Sequence, residues 1–101
     1  MAYPKFILTD SGEFRMGMVD MHRDLLREGE DCYGGGFYEF DYTRGRLLLS
    51  GRSYDYGRPL WNLFDEIRLP EAYAGLTIIY SPDACYDDEP PLSDYVKLKY
   101  I

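Results

Sequence analysis

With 101 residues the chain is the size of one domain, read as 1–101, with room for a single modest core. Its formal charge of −7 argues against a general nucleic-acid binder, which needs clustered lysine and arginine to release counterions from phosphate. No apolar run approaches the roughly 20 residues of a membrane span. Met1 to Asp10 also lacks the basic start, apolar centre and small-residue cleavage site of a secretory signal, so the expected compartment is the cytoplasm, with no membrane partner.

The 11 tyrosines and 5 phenylalanines favour half-buried strands over a helical bundle. Tyr3 to Thr9 reads as a first strand, with Pro4 at its start where a missing N–H is tolerated. Asp10-Ser11-Gly12 is a turn signal, and Glu13 to Met21 reads as a second strand. That strand has apolar residues on both faces (Phe14, Met16 and Met18; Val19 and Met21), which predicts a central or doubly covered position, with Gly17 admitting a close neighbour. His22 to Asp31 is polar around Leu25-Leu26, and is expected to form a helical turn or a connection that tucks both leucines under the sheet.

Cys32 to Thr43 and Arg46 to Tyr56 form a hairpin about a two-residue turn at Arg44-Gly45. That turn sets Tyr42 opposite Leu47, Phe40 opposite Leu49 and Tyr38 opposite Gly51, one apolar face turned to the core. Thr43 with Arg46, Asp41 with Leu48, Glu39 with Ser50 and Phe37 with Arg52 make the outer face.

Pro59 suits a first helical turn, and Leu60, Leu63, Phe64 and Ile67 then recur at helical spacing until Pro70. This predicts a helix of about ten residues packed across the sheet, with Trp61 at the edge of the core. Phe40 and Phe64 are expected among the core rings. Leu76 to Tyr80 reads as a buried strand, Asp83 to Pro91 as an acidic loop, and Ser93 to Ile101 as a last strand whose lysines suit a sheet edge. The expected fold is α+β: a mainly antiparallel, twisted sheet of five or six strands with one helix on a face.

Chemistry is sparse. Cys32 and Cys85 show neither CxxC nor Cys/His spacing, so they are read as free thiols, with no metal and no cofactor. His22 is the only histidine and would be the base of any hydrolase built here. Gly34-Gly35-Gly36 leads into a strand with no lysine behind it, which reads as a bulge or sharp bend rather than a phosphate cradle. Asp83, Asp87, Asp88 and Glu89 lack the ligand spacing of a calcium loop. Ser50-Gly51-Arg52-Ser53-Tyr54 carries no nucleophile elbow. What remains is a basic-aromatic cluster: Arg46, Arg52, Tyr54 and Tyr56 on one side of a strand, a surface for a partner's acidic patch, beside a structural reading in which Glu39 and Asp41 pair with the arginines.

Gly34-Gly35-Gly36-Phe37-Tyr38 and Leu47-Leu48-Leu49-Ser50-Gly51-Arg52-Ser53-Tyr54-Asp55-Tyr56-Gly57, with Phe14-Arg15-Met16-Gly17 and His22-Arg23-Asp24-Leu25-Leu26, cover about half of the chain. In these stretches it resembles small uncharacterised bacterial proteins of the accessory genome, of the mobile-element cargo type. The resemblance implies a bacterial origin and brings no functional residues. The expected function is a non-enzymatic protein-interaction module with another protein as partner. The alternatives are an acidic DNA mimic inhibiting a nucleic-acid enzyme, a small hydrolase using His22, and single-strand binding through the arginine-tyrosine cluster.

Overall fold

Alternation of apolar and polar side chains carries seven segments of the chain into strands, and the computed structural model describes all residues, Met1–Ile101. The strands are β1 (Tyr3–Thr9), β2 (Phe14–Val19), β3 (Cys32–Asp41), β4 (Arg46–Ser50), β5 (Glu66–Leu69), β6 (Thr77–Ser81) and β7 (Lys97–Tyr100). Five of them form one sheet in the order β2-β1-β3-β4-β6, and β5 pairs with β7 in a separate ribbon. The pairings β1–β2, β1–β3 and β3–β4 are antiparallel, whereas β4–β6 and β5–β7 are parallel.

The core lies between one face of the five-stranded sheet and the ribbon. Phe6, Leu8, Phe14, Leu47, Leu49 and Ile78 come from the sheet, and Ile67 and Leu69 from β5. Trp61 stacks on Phe6, with ring centroids 5.9 Å apart, and lies 6.4 Å from Phe14. Lys97 and Lys99 point outward from β7, as a sheet edge requires.

The expected α+β architecture does not form. Residues 59–70 hold no helix, only a short 3-10 turn at Trp61–Leu63 followed by β5, and every other helical element is an isolated 3-10 turn. Leu60 and Leu63, half of the supposed apolar stripe, are 42% and 58% exposed. A helix of about ten residues is marginal without a packed face. Here Ile67 and Leu69 instead bury themselves at strand spacing, because β7 supplies a hydrogen-bonding partner and Gly12 accepts a bond from the Arg68 N–H at 2.8 Å. Nor is the sheet an antiparallel one: residues 51–76 serve as the long crossover that lets β6 run parallel to β4.

The hairpin differs by two residues of register. Asp41 faces Arg46, Phe40 faces Leu47 and Tyr38 faces Leu49, so Tyr42-Thr43-Arg44-Gly45 make a four-residue loop. A two-residue turn would put Arg44 at positive φ. In the loop that forms, only Gly45 takes it, at +63°. A slip of two preserves which face each strand residue occupies, so Tyr38, Phe40, Leu47 and Leu49 still face the core. Tyr42 leaves it, 74% exposed and stacked on Phe40 at 5.1 Å. The outer face is drier than expected, since Leu48 and Ile79 are buried there. β2 is an edge strand rather than a central one, and Leu25 covers its second face by packing over Gly17.

Phe6, with no exposed surface, should lose about 3–5 kcal/mol on truncation to alanine. Half-buried Phe40 should lose clearly less than Phe6 in the same urea-denaturation series. The reverse order would misplace the core.

Candidate functional site

Strand β4 stops at Ser50 because Gly51 turns the chain at φ +71°, and residues 51–57 fold into a tight loop. The loop is held by its own backbone: the Ser53 N–H donates to the carbonyls of Gly35 (3.0 Å) and Gly57 (3.1 Å), and the Gly57 N–H returns a bond to Ser53 at 2.9 Å. The buried Ser53 hydroxyl accepts from the Tyr56 N–H at 3.2 Å. Beneath the loop lies the glycine run. A Cβ on Gly34 would stand 2.1 Å from the Arg58 carbonyl oxygen, and Gly34 itself has φ +102°. The run is therefore a seat for residues 57–59, a close backbone approach rather than an anion cradle.

Clamped in this way, the loop walls a cleft of about 510 Å³, within the roughly 300–1,000 Å³ range typical of ligand sites. Arg52, Tyr54 and Asp55 come from the loop, Lys5 from β1 and Phe37 from β3. Met21 and His22 close it from the connection after β2. Tyr54 is wholly exposed, and Met21 and Phe37 are partly so. No carboxylate pairs with Arg52, whereas Lys5 donates to the Asp20 carbonyl.

His22 is buried against Phe37, edge to face at 5.7 Å, with its ring directly above Gly35. Its Nε2 lies 2.9 Å from the Gly36 carbonyl oxygen. That oxygen only accepts, so Nε2 carries the proton and Nδ1 is the free lone pair. Burial pushes the His22 pKa below its ordinary 6.5, and Lys5 adds to this, while the Gly36 bond and Asp55 oppose it. The ring is neutral at pH 7. The connection carrying it is tied down by Arg15, which bonds both oxygens of Glu30, both oxygens of Glu13 and the Leu25 carbonyl. The Arg15 guanidinium holds the Glu30 carboxyl down at about 2.

The four residues expected to act together are divided. Arg52 and Tyr54 line the cleft. Arg46 belongs to the hairpin's outer face, where it pairs with Asp41 at 2.9 Å and Asp87 at 3.4 Å. That engagement holds the Asp41 carboxyl below the usual carboxylate range. Tyr56 is half-buried behind the loop and does not line the cleft. They do not share a strand, since β4 ends before three of them. No cysteine or carboxylate is bonded to His22. The Cys32 thiol donates to the Gly34 carbonyl at 3.3 Å, and burial pushes its pKa up, which leaves it a poor nucleophile. Cys85 is exposed on the acidic loop. No three metal-ligating side chains converge anywhere in the molecule.

Sequence reasoning set Phe37 with Arg52 on one face but missed Lys5 and Met21 as their companions. The available signal was Gly51 and Gly57 flanking five residues, which marks a closed loop rather than a continuing strand.

No protein-family model, no curated protein and no solved structure matches this chain. No helix is long and apolar enough to cross a membrane.

The His22 pKa is lower folded than unfolded, so its contribution to stability is present above the unfolded value of 6.5 and is lost as pH falls below it through the lower folded value. Denaturation midpoints should therefore hold steady above about pH 6.5 and drop as pH falls below it. His22→Gln, whose amide can still donate to Gly36, should flatten that slope; an unchanged slope would assign it elsewhere.

Proposed function

We propose that the chain is a cytoplasmic protein-interaction module that binds another protein through the Arg52–Tyr54 loop and its cleft, without catalysis. One observation carries this reading. A fully exposed tyrosine beside an arginine without a carboxylate partner is presented on a loop whose backbone is hydrogen-bonded to itself and to β3. Tyrosine and arginine supply a large share of binding energy at protein interfaces. A loop already ordered before binding loses little conformational entropy when the partner arrives. Lys5 and Arg52 favour an acidic group on that partner, and Phe37 and Met21 an apolar one. Two free thiols accord with a reducing compartment. A small bacterial protein of the mobile-element type needs no more than such a surface to modulate a target.

The hydrolase alternative draws support from His22, a neutral base with a free Nδ1 in a cleft that also holds Asp55. It has no cysteine nucleophile, since neither thiol lines that cleft. The DNA-mimic alternative is weakened because Glu13, Asp20, Glu30, Asp41, Glu66 and Asp87 are engaged in ion pairs within the chain.

Tagged protein with Arg52→Ala or Tyr54→Ala should keep its stability within about 0.5 kcal/mol. Each should lose a partner that the unaltered protein and a Lys99→Ala control both capture from host lysate. Retention of the partner by both loop variants would refute the site.

A further inference from the structure

A second cleft, of about 220 Å³, shares no residue with the first. Its walls are Trp61, Tyr80, Tyr95, Pro59, Pro82 and Leu92. We propose that it docks a proline-containing, basic segment of a partner protein in extended polyproline conformation.

The walls are rigid. Trp61 is backed by Phe6 and Phe14 on the core side and meets Tyr80 edge to face at 5.9 Å and 68°, so the two rings form a fixed notch. The Tyr80 hydroxyl donates to the Gly51 carbonyl at 2.7 Å, which locks the second wall. Pro59 and Pro82 add faces with no rotamer freedom to lose. Tyr95 is largely exposed at the rim. Such a notch suits a pyrrolidine ring, and a polyproline segment enters it with its own conformation already set. Asn62, exposed at the same cleft, offers an amide to the carbonyls that such a segment leaves unbonded.

Charge selects the rest of the segment. Glu89 is the one acidic residue lining the cleft, and it has no cationic partner. Burial pushes the Tyr80 hydroxyl pKa up, with Arg58 opposing and Asp83 adding to the shift. An unpaired carboxylate beside apolar rings favours arginine or lysine next to the prolines and disfavours a phosphate backbone, although bases could stack on the same rings. The volume lies below the roughly 300–1,000 Å³ that encloses drug-sized ligands, which favours a short chain segment over a cofactor.

Trp61 is the only tryptophan, so the emission of a wall residue of this cleft can be followed without interference from another tryptophan. The probe is a synthetic ten-residue peptide, mostly proline with an arginine at each end. It should give a saturable change in Trp61 emission. The same peptide with glutamate at its ends, or with glycine for proline, should bind at least about tenfold more weakly. Tyr95→Ala should weaken binding by a similar factor, and Glu89→Gln should remove the preference for arginine over glutamate ends. Arg52→Ala should leave all of this unchanged, which separates failure here from failure of the first cleft. No saturable change at millimolar peptide, or equal binding of the glycine peptide, would overturn the proposal. A response to oligothymidylate or to the protein's own concentration, in place of the peptide, would do the same.

Discussion

Three consecutive residues of β3 have no room for a side chain. A Cβ on Gly34 would meet the Arg58 backbone, one on Gly35 would come within 2.4 Å of the Phe6 carbonyl oxygen, and one on Gly36 within 2.3 Å of that of Ser50. This crowding lets the chain from 51 to 59 lie directly on the sheet and turn there with its amides satisfied by Gly35, Ser53 and Gly57. It also makes the hollow into which the His22 ring fits, bonded to the Gly36 carbonyl. The first cleft exists because both of its walls, the loop and the histidine turn, converge on one stretch of bare backbone. The second depends on the same crossing: Pro59 and Trp61 follow at once from the segment seated on Gly34, and Tyr80 is tied to Gly51 at its start.

Charge is distributed with the same economy. In a chain of net charge −7, several arginines serve the fold: Arg15 anchors the segment that carries His22, Arg44 and Arg46 pin the acidic loop to the hairpin, and Arg68 donates to the Ser11 carbonyl. Exposed ion pairs contribute little, about 0–1 kcal/mol each. The Arg15 cluster differs in being mostly shielded from solvent and bidentate to Glu30, the arrangement in which guanidinium and carboxylate bind best. Arg52 and Lys5 face the first cleft beside a single carboxylate, Asp55, so its lining carries net positive charge although the molecule is acidic.

Strand existence was legible from residue patterning, and so was the inward face of the hairpin, because a face is set by a period of two that survives a two-residue slip. The loop length was not, since Arg44-Gly45 resembles a tight turn until the cost of positive φ at arginine is weighed against a wider loop. The 59–70 segment misled for a different reason. Leu60, Leu63, Phe64 and Ile67 fit a helix, yet Ile67 and Leu69 also fit a strand, and the deciding partner lies thirty residues on in β7. Trp61 read as peripheral for the same cause and proved central, stacked on rings from β1 and β2. The candidate site was half legible. Arg52 and Tyr54 stood out by type and Phe37 by its place on the same hairpin face, but Lys5 and His22 come from elements that only the fold brings beside them.

The claim on which both clefts rest is that the loop is held on the glycine run by backbone hydrogen bonds, and amide hydrogen exchange measures those bonds directly. The Ser53 and Gly57 N–H groups should exchange as slowly as those of β3, far more slowly than the exposed amides of the 42–45 turn. Exchange at Ser53 and Gly57 as fast as in that turn would mean an unanchored loop, and would contradict the account.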